Sequence, residues 1–204
     1  MKNFLIMAAL GLVISSCAPT LSYTWTKNNY EGAKYDKIAV FCATKNLDVA
    51  MNYQQYMVEV LGQQGFNAVT GMSMINPMET KNLEVEKLKE ILIQNGVDAV
   101  ISTVVVDSEK SLEYVPGSPS YGYYGGFGYY YGYRYGPVYY NPGYYNETTS
   151  YLVENHFYEL KEGEPSKDAL LWASQSTITD PNKSTTKVYA RVIVKALVDE
   201  NIIK

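Results

Sequence analysis

The chain has 204 residues, with 17 Lys and Arg against 21 Asp and Glu, one His and two Cys, for a formal charge of −4. An acidic chain without a basic cluster lacks the cations that displace counterions from nucleic acid, so nucleic acid is excluded as a partner. The single histidine, His156, removes histidine-based zinc signatures and most acid–base triads, and two cysteines leave no intrachain disulfide framework once Cys17 is used otherwise.

Met1-Lys2-Asn3 makes a short cationic start, and residues 4–14 are almost wholly apolar. A run of that length is too short to span a bilayer and has the proportions of a signal-peptide core. The ending Ile14-Ser15-Ser16-Cys17 resembles the lipobox of bacterial lipoproteins. That resemblance implies a signal peptide over residues 1–16, removal of which takes the charge to −5. It also implies that Cys17 is the lipid-bearing first residue of a mature chain of 188 residues. Each buried methylene contributes about 0.8 kcal/mol, so two or three acyl chains anchor a protein for good. The competing reading is an ordinary cleaved signal with an incidental cysteine. Ala18 stands where an aspartate marks inner-membrane retention in the lipoprotein family, and no acidic run follows. By resemblance the expected location is the outer membrane, facing the periplasm.

Residues 17–35 read as a polar tether, apart from Leu21-Ser22-Tyr23-Thr24-Trp25, which is either an edge strand or more tether. A single domain is expected over 36–204. Residues 37–43 form a continuous apolar run, as in a strand covered on both faces, and Cys42 within it reads as a small buried hydrophobe. Asn46 is an N-cap for a helix through residue 64, with Ala50, Tyr53, Met57, Val60 and Leu61 at helical spacing and Gly65 as a left-handed stop. Residues 66–70 make a second strand. A second helix starts at Asn82, with Val85, Leu88, Ile91 and Leu92 inward, and stops at Gly96. Residues 97–106 are the strongest strand.

This β-α-β-α-β order predicts three parallel strands with 37–43 central and one helix on each face. Residues 150–160 and 169–179, joined by a short polar turn, predict an antiparallel hairpin. A last helix over 185–201 carries Tyr189, Ala190, Ile193, Val194 and Leu197 as its apolar stripe, with Trp172 in the core. The expected fold is α/β (α+β): a mixed sheet of about five strands, three helices and one long Tyr/Gly-rich loop.

The runs Asp36-Lys37-Ile38-Ala39-Val40, Gly96-Val97-Asp98-Ala99-Val100-Ile101 and Leu170-Leu171-Trp172-Ala173-Ser174 resemble those of uncharacterised Gram-negative lipoproteins. The order of elements is loosely similar to the small α/β domain of the curli secretion-channel subunit and of lipoprotein activators of peptidoglycan synthases. No catalytic residue comes with that resemblance, and a shared fold does not assign a task.

Residues 116–149 form a low-complexity insertion. Between 121 and 145 it holds twelve tyrosines, seven glycines and two prolines, and its single aliphatic residue is Val138, so it cannot build a close-packed core. Tyrosine offers a flat apolar face and a hydroxyl, and it orders at low rotamer cost. The candidate ligand contacts are therefore Tyr121, Tyr123, Tyr124, Tyr129, Tyr130, Tyr131, Tyr133, Tyr135, Tyr139 and Tyr140. The alternative is a hydrated insertion at a hairpin tip.

Other arrangements are weaker. His156 alternates with Glu154 and Tyr158 as a polar stripe on one strand. Asp107, Glu109 and Glu113 read as acidic residues leading from a strand into a solvated loop. Thr44-Lys45-Asn46, at the switch point of the sheet, is a second-choice pocket. No phosphate loop or nucleophile elbow is present. The expected function is a non-enzymatic outer-membrane lipoprotein that binds or assembles envelope components, with no cofactor. Its expected partners are the membrane, through its lipid, and an envelope polysaccharide, peptidoglycan or protein. Alternatives are an oligomeric secretion or pore component and, last, a cell-wall hydrolase acting through Asp107 or Glu113.

Overall fold

The computed structural model of the chain describes residues 19–75, 84–121, 138–163 and 169–204. Twelve elements follow in order: β1 (Leu21–Thr26), β2 (Ile38–Ala43), α1 (Leu47–Gln63), β3 (Ala68–Thr70), a 3-10 turn (Gly71–Ser73), α2 (Val85–Gln94), β4 (Ala99–Val115), β5 (Ser118–Tyr121), β6 (Val138–Asn141), β7 (Tyr144–Glu159), β8 (Leu170–Thr179) and α3 (Lys183–Asp199). The main sheet has six strands in the order β1-β8-β7-β4-β2-β3, and β5 pairs with β6 separately. β2 runs parallel to both β3 and β4, and the remaining pairs are antiparallel. The fold is the expected mixed α/β sheet, with β2 central among the parallel strands. Of the two readings of residues 21–25, the edge strand is found: β1 lies along β8, with Trp25 opposite Ala173.

Alternation along β2 divides the core. Ile38 and Val40 point to one face, where α1 and α3 cover them together with Tyr53, Met57, Leu61, Tyr189, Ile193 and Leu197. Ala39 points to the other face, beneath Leu92 of α2 and beside Val100. The two crossover helices therefore take opposite faces because successive strand residues face opposite ways. Both long helices begin on an asparagine whose side-chain oxygen accepts the backbone N–H three residues on: Asn46 from Val49 at 3.2 Å, and Asn182 from Thr185 at 3.0 Å. After α1 and α2 the chain reverses at Gly65 and Gly96, both with positive φ. Trp172 is fully buried, and its indole N–H donates to Glu200 at 2.9 Å. One inward assignment fails: Val85, the first residue of α2, is 65% exposed and lies on the lining of an open groove.

Beneath α1 and α3 the core contains a closed polar network. Asn155 of β7, with no exposed surface, accepts from Thr103 at 2.8 Å and donates to Ser174 at 3.1 Å and to Tyr189 at 2.6 Å. The Tyr189 hydroxyl meets Ser176 at 2.5 Å, and Thr103 lies 3.1 Å from the Tyr53 hydroxyl. Among the described residues no buried side-chain polar atom lacks a partner. The network ties the three central antiparallel strands to both covering helices.

Candidate functional site

Two features stand out from the body of the domain: a projecting two-stranded ribbon and an apolar groove. The ribbon arises because β4 and β7 outrun their neighbours. β2 last pairs with β4 at Val104, and β8 last pairs with β7 at Ser150. Beyond those points residues 110–115 of β4 and 144–148 of β7 pair with each other, and Thr149 is held at the root by Asp180, whose carboxylate accepts from its N–H and whose N–H donates to its carbonyl. The pairing then continues in unchanged register through β5 and β6, with Val115 opposite Tyr144 and Ser118 opposite Asn141. Pro116-Gly117 therefore lies against Pro142-Gly143. Proline donates no ladder hydrogen bond, so both strands are interrupted at the same level. From Lys110 to Tyr121 the ribbon reaches about 40 Å at the usual rise per strand residue.

This corrects the reading of residues 107–115 as a strand end running into a solvated loop, and it places 144–149 in a strand rather than in the insertion. A bulge between Val105 and Asp107 shifts the register at the root of the ribbon and breaks the hydrophobic alternation that marks β4 up to that point. Past the bulge the two faces differ. Leu112, Tyr114, Tyr145 and the Lys110–Glu147 ion pair share the face continuous with Val153 and the helix-covered core. The Tyr114 and Tyr145 rings pack 5.2 Å apart. Leu112 is 66%, Tyr114 54% and Tyr145 71% exposed. The Tyr114 hydroxyl occupies the space where a Cβ at position 143 would sit, so Gly143 is the seat of that ring. The opposite face carries Asp107, Glu109 and Glu113, opposite Leu152, Ser150 and Asn146. No group of three or more metal-ligating side chains occurs among the described residues.

The groove lies on the α2 side of the sheet, the face opposite the aromatic side of the ribbon. It encloses about 850 Å³ between Phe41 and Ala43 of β2, Met72 and Ile75, the Val85, Leu88 and Leu92 side of α2, and Tyr158 and Leu170. It exists because α2 spans ten residues and covers only the Ala39 and Val100 end of its face. Gly71 belongs to its wall, where the Phe41 ring fills the position a Cβ would take. Cys42 lines it too. Burial pushes that thiol up to about 12, so it is a protonated, unreactive hydrophobe at neutral pH. Thr44-Lys45-Asn46, the second-choice pocket, is not in the lining, and Asn46 is engaged as the cap of α1.

Of the ten candidate tyrosines, Tyr121 ends β5 opposite Val138, and Tyr139 and Tyr140 lie in β6 opposite Ser120 and Pro119. Tyr123, Tyr124, Tyr129, Tyr130, Tyr131, Tyr133 and Tyr135, together with Cys17, lie outside the described residues. His156 and Glu154 share one face of β7 as expected, with their side chains 3.8 Å apart, and His156 stacks loosely on Tyr158. The sequence reading missed Tyr114, Tyr144, Tyr145 and Leu112 as surface aromatics and apolars. A two-residue periodicity from 108 to 114 carried the signal, diluted by Ser108, Lys110 and Ser111.

Comparison by sequence with protein families and with curated proteins matches nothing. Among solved structures, the chain is similar to the PelC dodecamer from Paraburkholderia phytofirmans. The identity is 13%, with 89% of this chain and 96% of that one covered, and the TM-score is 0.43. It is also similar to a lipoprotein from Neisseria meningitidis, at 10% identity, 80% and 98% coverage, and a TM-score of 0.42.

Proposed function

We propose that this chain is a non-enzymatic, lipid-anchored module of the bacterial cell envelope, held at the outer membrane through Cys17 and facing the periplasm. It binds or assembles envelope components through the ribbon and its tyrosine-rich tip, residues 107–152. The observation that carries this reading is the ribbon itself. A lone two-stranded ribbon is marginally stable in water. One that holds Leu112, Tyr114 and Tyr145 together on one face open to solvent is a surface awaiting a partner. The lipobox supports the anchor, and the closed Asn155 network supplies a rigid base. A polysaccharide, a peptidoglycan fragment or a protein each fits tyrosine faces of this kind. The test removes residues 118–141 and joins Gly117 to Pro142, which preserves register, and then compares affinity capture from envelopes by the lipidated protein. Loss of specific partners with unchanged folding is the expected result. Identical capture reduces the outer ribbon to a passive insertion.

A second reading, an oligomeric component of a secretion or pore assembly, is favoured by one observation. Both outer edges of the ribbon lack a neighbouring strand, along 110–115 and along 144–148. Exposed edges of this kind template association.

A further inference from the structure

We propose that the ribbon end of the domain is a bilayer-contacting surface, formed by the start of α1 and the aromatic face of the inner ribbon, residues 110–115 and 144–148. The partner is the phospholipid surface that holds the Cys17 anchor. Strand register fixes which end of the sheet the anchor serves. β1 runs antiparallel to β8, with Leu21 opposite Ser176 and Thr26 opposite Trp172. β8 in turn reaches Thr179 opposite Ser150, at the ribbon root. Leu21 is therefore the ribbon-side end of β1. Four residue steps separate it from Cys17, and four steps of fully extended chain reach at most about 14 Å. An anchored domain thus keeps this end at the membrane.

Exposed apolar side chains gather at that same end. β2 arrives there at Ala43, opposite Val104, and α1 starts at Leu47. Leu47 and Met51, one helical turn apart, are each 53% exposed. Leu112, Tyr114 and Tyr145 extend the patch along the ribbon, on the sheet face that α1 and α3 cover. The far end of the same helical layer, where α1 and α3 stop, instead sets Gln63, Gln64, Lys195 and Asp199 around Val198. Leucine and methionine supply apolar volume, and tyrosine rings favour the depth where headgroups meet acyl chains. The Lys110–Glu147 pair shares the ribbon face. A lysine there buries its methylene stem and keeps its charge at headgroup level. Asp107, Glu109 and Glu113 lie on the opposite face, away from anionic lipid. The contact needs little area, because the anchor already holds the domain at the surface and raises its effective concentration there. Its effect is orientation: the inner ribbon lies along the bilayer.

The inference deepens the proposed function and rests on its reading of Cys17 as the lipid-bearing residue. For the inner ribbon it names the bilayer as partner, and it leaves the outer ribbon free. The test uses the full lipidated chain in phosphatidylethanolamine–phosphatidylglycerol vesicles, in a Cys42→Ser background. Met51→Cys, Leu112→Cys and Val198→Cys chains each carry an environment-sensitive fluorophore on the new thiol. An interfacial apolar face sits about 5–10 Å into the boundary of headgroups and acyl chains, within range of a spin label on the lipid headgroup. Blue-shifted emission, quenched at least about twofold by that lipid, is expected at 51 and 112 but not at 198. Leu112→Glu, with circular dichroism unchanged, is expected to weaken the quenching at 51. Labels at 51 and 112 quenched no more than at 198, quenching at only one of the two, or quenching at 51 that ignores Leu112→Glu each overturn the proposal. In those cases envelope capture that still depends on residues 118–141 leaves the proposed function standing. A Cys17 without lipid by mass spectrometry removes both.

Discussion

Replacing Asn155 by alanine probes whether the closed polar network holds the antiparallel half of the sheet. The side chain has no exposure and binds four hydroxyls, those of Thr103, Ser174 and Tyr189 and, at 3.4 Å, Tyr53. After truncation Thr103 retains Tyr53, and Tyr189 retains Ser176, but Ser174 keeps no side-chain partner. An orphaned buried hydroxyl costs about 1–3 kcal/mol, and the three other lost hydrogen bonds about 0.5–1.5 kcal/mol each. The sum is about 2.5–7.5 kcal/mol, which lowers the melting temperature by roughly 5–30 °C for a chain of this size. Tyr189→Phe makes the contrast. It leaves Asn155 joined to Ser174, Thr103 and Tyr53 but strands the Ser176 hydroxyl and one Asn155 Nδ2 hydrogen, for about 1–3 kcal/mol per stranded group. The assay is urea unfolding followed through Trp172, which is fully buried beside the network. A loss below about 1 kcal/mol for Asn155→Ala refutes the reasoning, because the network would then contribute no more than a surface hydrogen bond.

Gly32 has a φ of +80°, and a Cβ there would strike the Asn201 carbonyl. Gly32→Ala is expected to detach the C-terminal tail at the Ala33–Ile203 bridge and to destabilise by more than about 2 kcal/mol, read by denaturation and by faster amide exchange at 202–204. Gly143→Ala displaces the Tyr114 ring from its seat. It is expected to leave global stability within about 0.5 kcal/mol, as ribbon changes outside the core do, while abolishing the ring contact between Tyr114 and Tyr145 in NMR. Burial raises the phenols of Tyr53, Tyr189 and Tyr35 above the ordinary 10.0 and the Cys42 thiol from 9.0 up to about 12. Raised values mean that the unfolded chain loses those protons first. Stability is therefore retained below about pH 9 and falls as pH climbs from there through 12. A urea midpoint unchanged between pH 8 and 11 contradicts this burial. Cys42 is expected to resist maleimide at pH 7.5 until the chain is unfolded.

Most of the body was legible because each element carries its own local signature. The helix after Asn46 shows its cap, its 3.6-residue stripe and its terminal Gly65 within twenty residues, and all five of its assigned apolar positions are buried. The Tyr189-to-Leu197 stripe is equally self-contained. β1 was ambiguous because an edge strand half open to water has no continuous apolar run, so only its pairing with β8 decides it. The groove was not legible at all. Its wall is assembled from β2, the turn at Gly71, α2, β7 and β8, and no spacing in the chain encodes where a ten-residue helix stops short of covering its face.

The ribbon shows why periodicity fails where a bulge intervenes. Val104, Val105 and Val106 look like the end of a buried strand, and Asp107 to Lys110 look like the loop that follows. Inserting one unpaired residue between Val105 and Asp107 rotates every later side chain to the opposite face relative to the pattern before it. Read with that one-residue offset, Leu112 and Tyr114 fall on the same face as Tyr145. Pro116-Gly117 falls opposite Pro142-Gly143, and the strand continues for nine residues beyond its apparent end. The bulge also turns the acidic residues Asp107, Glu109 and Glu113 together onto the face away from the Tyr114 and Tyr145 rings. The ribbon therefore leaves the sheet with Leu112, Tyr114 and Tyr145 gathered on one side beside the Lys110–Glu147 pair, and any contact made through Leu112 and Tyr145 requires that gathering.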